Sequence, residues 1–136
     1  QVASGTSGAI GIVAAGNRSV VRDCTVSQNA AQGIKVSGIG NLIEGNHVIG
    51  NDTSLGCADI WIVGSANFVQ DNTAGFGSND TCPYYIEATA TGSIIRRNVA
   101  HGGDLFNYTN LCGVFCDVGP IGTAATSTSP WANISD

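Results

Sequence analysis

The apolar positions of this chain come in runs of two or three. Gly, Asn or Ser cuts each run before a helical turn could be completed. The stretch GIKVSGIGNLIEGNHVIGN, from Gly33, holds three such runs. Ile34 and Val36 flank Lys35, then come Leu42-Ile43-Glu44 and His47-Val48-Ile49. Strand-length runs bounded by turn residues predict β-strands. The same order recurs in GIVAAGNRSVVRDCTVSQN from Gly11, DIWIVGSANFVQDNTAGFG from Asp59 and YIEATATGSIIRRNVAHGG from Tyr85. The starts lie 22, 26 and 26 residues apart, a period that belongs to stacked repeats.

In that register Ile12, Ile34, Ile60 and Ile86 share a column, as do Ala14, Val36, Ile62 and Ala88. Val21, Ile43, Val69 and Ile95 form a third, and Val26, Val48, Ala74 and Ala100 a fourth. Apolar columns running through every repeat are the interior of a stack, because one repeat alone cannot bury its apolar face. A further column holds Cys24, Asn46, Asn72 and Asn98 at a bend. Asn tolerates left-handed turn geometry, and its amide can bond the layers above and below. The expectation is an all-β chain: a single-stranded parallel β-helix of about five coils of 22–28 residues, with Asn46, Asn72 and Asn98 as an asparagine ladder.

This pattern resembles the right-handed parallel β-helix of the pectin-lyase-like superfamily over roughly residues 8–118. The tail GPIGTAATSTSPWANIS is similar to the ending of many secreted bacterial proteins of that fold. The resemblance implies GIKV-like first strands, NLIEG-like second strands, HVIG-like third strands and a third bend that varies most in length. It also implies that the first-strand face holds the sugar groove in relatives that degrade polysaccharides. Their lyases cluster carboxylates for calcium with an Arg base, and their hydrolases place neighbouring Asp residues with a His. This chain departs from both patterns. Arg96 and Arg97 fall on the second strand and its bend, and His47 and His101 on the third strand. The expectation therefore leans away from an enzyme; a polysaccharide lyase or glycoside hydrolase is the enzymatic alternative.

Strict alternation puts Lys35, Trp61 and Glu87 outside on the first-strand face, flanked by Asp59 and Tyr85. An aromatic ring between carboxylates suits sugar stacking and acid–base work, so Lys35, Asp59, Trp61, Tyr85 and Glu87 are candidate carbohydrate-binding residues. On the second strand, alternation turns Val20, Leu42, Phe68 and Ile94 outward. A stacked apolar stripe there predicts a contact surface. Asp52, Asp80 and Asp104 fall in third bends, where they read either as turn formers or as ligands of a calcium ion. No other cofactor is suggested.

The 136 residues suit one domain, with residues 1–10 as an arm or partial coil and 119–136 as a closing segment, Trp131 serving as its lid. Net charge is −5 and only 11% of residues are charged, which argues against nucleic acid. Hydrophobic content of 43% argues against disorder. No apolar run is long enough to span a membrane as a helix. The chain lacks Met and opens on Gln1, which reads as a secreted chain with its signal peptide removed. Among five cysteines, Cys57 and Cys82 fall in third bends of adjacent coils, about 4.8 Å apart, within reach of a disulfide. Cys82–Cys112 is the second choice. Cys112–Cys116 requires Cys116 to lie outside a strand, whereas the repeat places it core-facing in a fifth first strand. Zinc held by Cys57, Cys82 and Cys112 is a further reading. Asn17, Asn51, Asn79, Asn107 and Asn133 begin N-x-S/T sequons. The picture is a secreted structural protein whose partner is itself, as a homo-oligomer or filament; a polysaccharide is the alternative partner.

Overall fold

The computed structural model describes residues 2–3, 8–51, 58–75, 82–102, 108–112, 116–122 and 129–135. These residues form strands and turns, and no helix occurs among them. The first coil comprises β2 (Ile12–Ala14), β3 (Val20–Arg22) and β4 (Thr25–Ser27), and the second β5 (Ile34–Val36), β6 (Leu42–Glu44) and β7 (His47–Ile49). The third holds β8 (Ile60–Ile62), β9 (Phe68–Gln70) and β10 (Thr73–Gly75), and the fourth β11 (Tyr84–Ile86), β12 (Ile94–Arg96) and β13 (Val99–His101). A fifth, open coil has β14 (Tyr108–Asn110) and β15 (Asp117–Val118). First strands pair in parallel as one five-stranded sheet, and second strands as another. Third strands belong to a seven-stranded sheet that begins with β1 (Val2–Ala3) and ends with β17 (Asn133–Ser135) and β16 (Ile121–Gly122). The chain is thus a parallel β-solenoid. Four of the expected coils are complete three-strand turns, and the N-terminal residues supply a partial one through β1 paired with β4.

Alternation decides what goes inside. Ile34, Val36, Ile43, Val48, Ile60, Ile62, Val69, Ile86 and Ile95 are fully buried, and Lys35, Trp61 and Tyr85 between them point out. The corners decide how the chain returns. Second and third strands are always joined by two residues, the first of them at positive φ: Asp23 at 53°, Gly45 at 64°, Asp71 at 57° and Arg97 at 55°. A left-handed residue followed by an inward one turns the chain sharply without a helix or hairpin. The third bend spans between six and ten residues and varies most, as expected.

Three expectations need correction. In the fourth coil Tyr84, not Ile86, stacks on Ile60, and Ile86 stacks on Ile62. The bend 87–93 has seven residues where earlier coils have five, so the first strand shifts by two while the second stays in register. Tyr84 still fits inside because its hydroxyl crosses to the Asn72 carbonyl, 3.0 Å away. The fifth first strand is Tyr108–Asn110 rather than a segment ending at Cys116. Cys116 sits in the bend before β15 and is disulfide-bonded to Cys112, with Cα atoms 5.7 Å apart. That excludes Cys82–Cys112. Cys57 lies outside the described residues; the Cys82 thiol donates to the Tyr84 carbonyl. Finally, Trp131 is no lid over the last coil. It lies on the side of the stack, half exposed, with the Arg96 and Arg97 guanidinium groups 4.8 Å and 5.4 Å from its ring centre.

The Cys112–Cys116 bridge closes a short loop, for which lost chain entropy predicts about 2 kcal/mol of stabilisation. Reduction should lower the unfolding free energy by about that amount, measured by urea denaturation with and without reductant. An unchanged midpoint would mean that the bridge adds nothing to the fold.

Candidate functional site

The corners of the solenoid carry buried polar groups, and three ladders bond most of them, leaving the Asn41 side-chain nitrogen without a partner. At the corner between second and third strands, Asn46, Asn72 and Asn98 stack as expected. The Asn72 side-chain oxygen accepts from the Asn46 backbone at 2.9 Å and the Asn46 amide at 2.9 Å. Its own amide reaches Asn98 at 3.0 Å and the Ile43 carbonyl at 3.0 Å. Cys24 opens this ladder through its backbone, and Asn133 on β17 ends it. A second ladder lies just before the second strands. Ser19 donates to Asn41, Asn41 to Asn67 and Asn67 to the Ser93 hydroxyl, each through its backbone N–H. A third runs through Asn29 and Asn51 to the Asp59 carboxylate, 2.7 Å from the Asn51 amide. Sequence reasoning missed the last two. The signal for the second was there, since Ser19, Asn41, Asn67 and Ser93 each precede a residue of the outward stripe by one.

This geometry removes Asp59 from the candidate carbohydrate site. It is fully buried and serves as a fixed acceptor for Asn51. The other four residues do meet outside. The Lys35 ammonium lies over the Trp61 ring, 4.4 Å from its centre. Tyr85 meets Trp61 edge to face at 6.4 Å. The indole N–H donates to Glu87 at 3.2 Å. Trp61 and Tyr85 are direct cross-strand neighbours, and Glu87 sits in the following bend. Hydrolysis of a glycoside by two carboxylates needs a matched pair across the bond. Of the pair expected here, only Glu87 reaches this face, and it is tied to Trp61. The cluster is therefore a stacking surface whose polar groups already bind one another.

The second-strand face is as expected. Val20, Leu42, Phe68 and Ile94 stack outward in direct register, with Val20 58% and Phe68 43% exposed. Asp117 ends the column. Beside it run Arg22, Glu44, Gln70 and Arg96. Arg22 pairs with Glu44 at 3.1 Å, and Gln70 donates to the same carboxylate at 2.6 Å. One corner further, Arg97 holds Asp71 through two hydrogen bonds, which keeps the Asp71 carboxyl below the usual range. An apolar column thus borders a column whose first three members, Arg22, Glu44 and Gln70, bond one another.

Two sequons are closed in the fold. Asn51 and Asn133 are buried, and their amides are used in ladders, so neither has room for a glycan. Asn17 is exposed. Asn79, Asn107, Asp52, Asp80 and Asp104 lie outside the described residues. Among the described residues no three His, Cys, Asp or Glu side chains come together as a metal site. No family model, curated protein or solved structure matches this chain.

Two predictions test the interior. Asn72→Ala takes the acceptor from the Asn46 backbone N–H and from the Asn46 amide, which keeps only the Val21 carbonyl. At roughly 1–3 kcal/mol for each orphaned group, the loss should be about 3 kcal/mol or more by chemical denaturation. A loss under about 1 kcal/mol would mean that water replaces the amide. Burial pushes the Tyr84 hydroxyl well above 10, and Tyr108 above its ordinary value too. A raised folded pKa gives stability that is complete below the unfolded value of 10 and declines as pH rises beyond it. Thermal melts should therefore show a midpoint falling steeply above pH ~10, and less steeply in Tyr84→Phe.

Proposed function

We propose that this chain is a non-enzymatic structural β-solenoid that joins copies of itself into an extracellular assembly. The second-strand face is its lateral contact. One observation carries the reading: the apolar column Val20–Leu42–Phe68–Ile94, unbroken over four coils and facing away from the core. A soluble surface normally interrupts such a column with charge, and a contiguous exposed apolar patch marks an interaction site. The bordering groups support a second copy as the partner. Arg22, Glu44 and Gln70 satisfy one another, so burying the stripe from Val20 to Phe68 strands no lone charge along that length.

Other features fit the same setting. The low charge and the kinship suggested by the pectin-lyase-like pattern agree with a secreted protein. A disulfide between Cys112 and Cys116 favours an oxidising compartment. Stacking end to end would lengthen the assembly, because parallel sheets offer backbone donors and acceptors at their outer strands. Carbohydrate binding stays as a second reading because Trp61 and Tyr85 sit side by side on the first-strand face. Their mutual pairing with Lys35 and Glu87 makes it the weaker of the two.

Sedimentation velocity separates the readings. The wild type should form species larger than a monomer, and Leu42→Lys with Phe68→Lys should return it to a monomer with its β-sheet spectrum intact. A monodisperse wild-type monomer at high concentration would overturn the assembly. Retention on a polysaccharide column that Trp61→Ala abolishes would instead favour the sugar-binding reading.

A further inference from the structure

Four of the five cations of this acidic chain, all but the exposed Arg18, lie against a carboxylate or an aromatic ring. Arg22 is paired with Glu44, Arg97 with Asp71, and Lys35 covers Trp61. Arg96 is different. Its guanidinium stacks on Trp131, and its buried Nε has no hydrogen-bond partner. It makes no ion pair among the described residues. It also lines a cavity of about 410 Å³ together with Asp117, Gly119, Pro120, Ser129 and Trp131.

The topology explains why a cavity exists here. In the second-strand sheet Ile94 pairs with Asp117 and Ile95 with Val118, so Gly119 falls on the rung above Arg96. Every other rung of this column carries a side chain, from Arg22 through Glu44 and Gln70. Gly119 has no side chain to set over Arg96, and the Trp131 carbonyl oxygen takes that place, 2.3 Å from where a Cβ would stand. The chain then leaves at Pro120 and returns through Ser129 and Trp131, which form the far wall. Ser129 is fixed by a bond from the Trp131 N–H, 3.3 Å away.

We propose that this cavity binds a small zwitterion of the α-amino-acid type. The Arg96 guanidinium takes the carboxylate, Asp117 takes the ammonium, and Trp131 and Pro120 receive an apolar or aromatic side chain. Charge decides against a plain anion. The protein carries −5 overall, and Asp117 stands on the cavity wall, so an anion attracted by Arg96 is repelled by the rest. A plain cation meets Arg96. A ligand with both charges close together matches both walls and carries no net charge. Asp117 makes no side-chain ion pair among the described residues, so its carboxylate is as available as the guanidinium. The cavity volume falls within the range of small-molecule sites. A planar fork is the donor that holds a carboxylate with two parallel bonds.

Trp131 fluorescence in a Trp61→Phe background reports on the site directly, since the chain has two tryptophans. The probes are L-phenylalanine, 3-phenylpropionate, which lacks the ammonium, and phenethylamine, which lacks the carboxylate. Phenylalanine should give a saturable change, and each truncated probe should bind at least about tenfold more weakly. Arg96→Gln should abolish the phenylalanine response. Arg96→Lys, which keeps the charge and loses the fork, should weaken it. Asp117→Asn should weaken phenylalanine and strengthen phenylpropionate. Equal binding of phenylalanine and phenylpropionate would make this a carboxylate site and overturn the zwitterion. The absence of a saturable response to any free amino acid would overturn the site itself. Amino-acid binding is read from Trp131 with Leu42 and Phe68 unchanged, so its failure and that of the sedimentation test are distinguishable.

Discussion

A solenoid must turn its backbone about three times per coil, and each turn buries peptide groups that no strand can pair. The chain meets this constraint with side-chain amides. At the tightest corner a left-handed residue precedes the ladder position, and in three of the four coils that position is Asn46, Asn72 or Asn98. Each ladder amide then bonds the coil before it and the coil after it, in backbone and side chain together. An unsatisfied polar group in such an interior would cost more than the net gain of an ordinary hydrogen bond. The corner bonds therefore tie each coil to its neighbours, while the apolar columns of Ile, Val, Ala and Tyr supply the buried area.

From that constraint the faces follow. With two-residue corners the second and third sheets are held in strict register, so the outward residues of the second strands must stack one above another. Whatever lies in that column becomes a stripe, apolar from Val20 to Ile94. The first sheet has more freedom, since the bends on either side of it change length. That freedom brings Tyr85 rather than Glu87 against Trp61, and it lets Tyr84 and Tyr108 stack inside with ring centres 4.8 Å apart. Length variation and register change occur together, away from the rigid corner.

Much of this was legible because the same residue type recurs at the same place. Ile34 and Ile60, Asn46 and Asn72, Leu42 and Phe68 each declare their column by repetition. The misreadings arise where two registers satisfy the same alternation. In the stretch Tyr84-Tyr85-Ile86-Glu87-Ala88, a shift by two keeps every inward position apolar or aromatic, so the period alone could not choose. In the fifth coil the repeat places Cys116 in the first strand, whereas Tyr108 takes the position over Tyr84. Asp59 was read as a surface carboxylate because charge usually is. Its partner is Asn51, eight positions back in the same bend, which no column reveals. The cavity beside Arg96 was invisible for a different cause. It comes from a missing side chain at Gly119 and from a strand that arrives out of sequence.

That strand, β17, pairs with β13 on one side and β16 on the other, although β16 precedes it in the chain. A ribosome delivers Ile121 before Asn133. During synthesis the rung next to β13 is therefore vacant when β16 emerges, and β16 can take it. Asn133 then has to enter between two strands rather than add to an edge. The rest of the stack can grow in the order in which it is made, each coil templating the next. The last rung cannot, and its completion is a step of rearrangement rather than of addition.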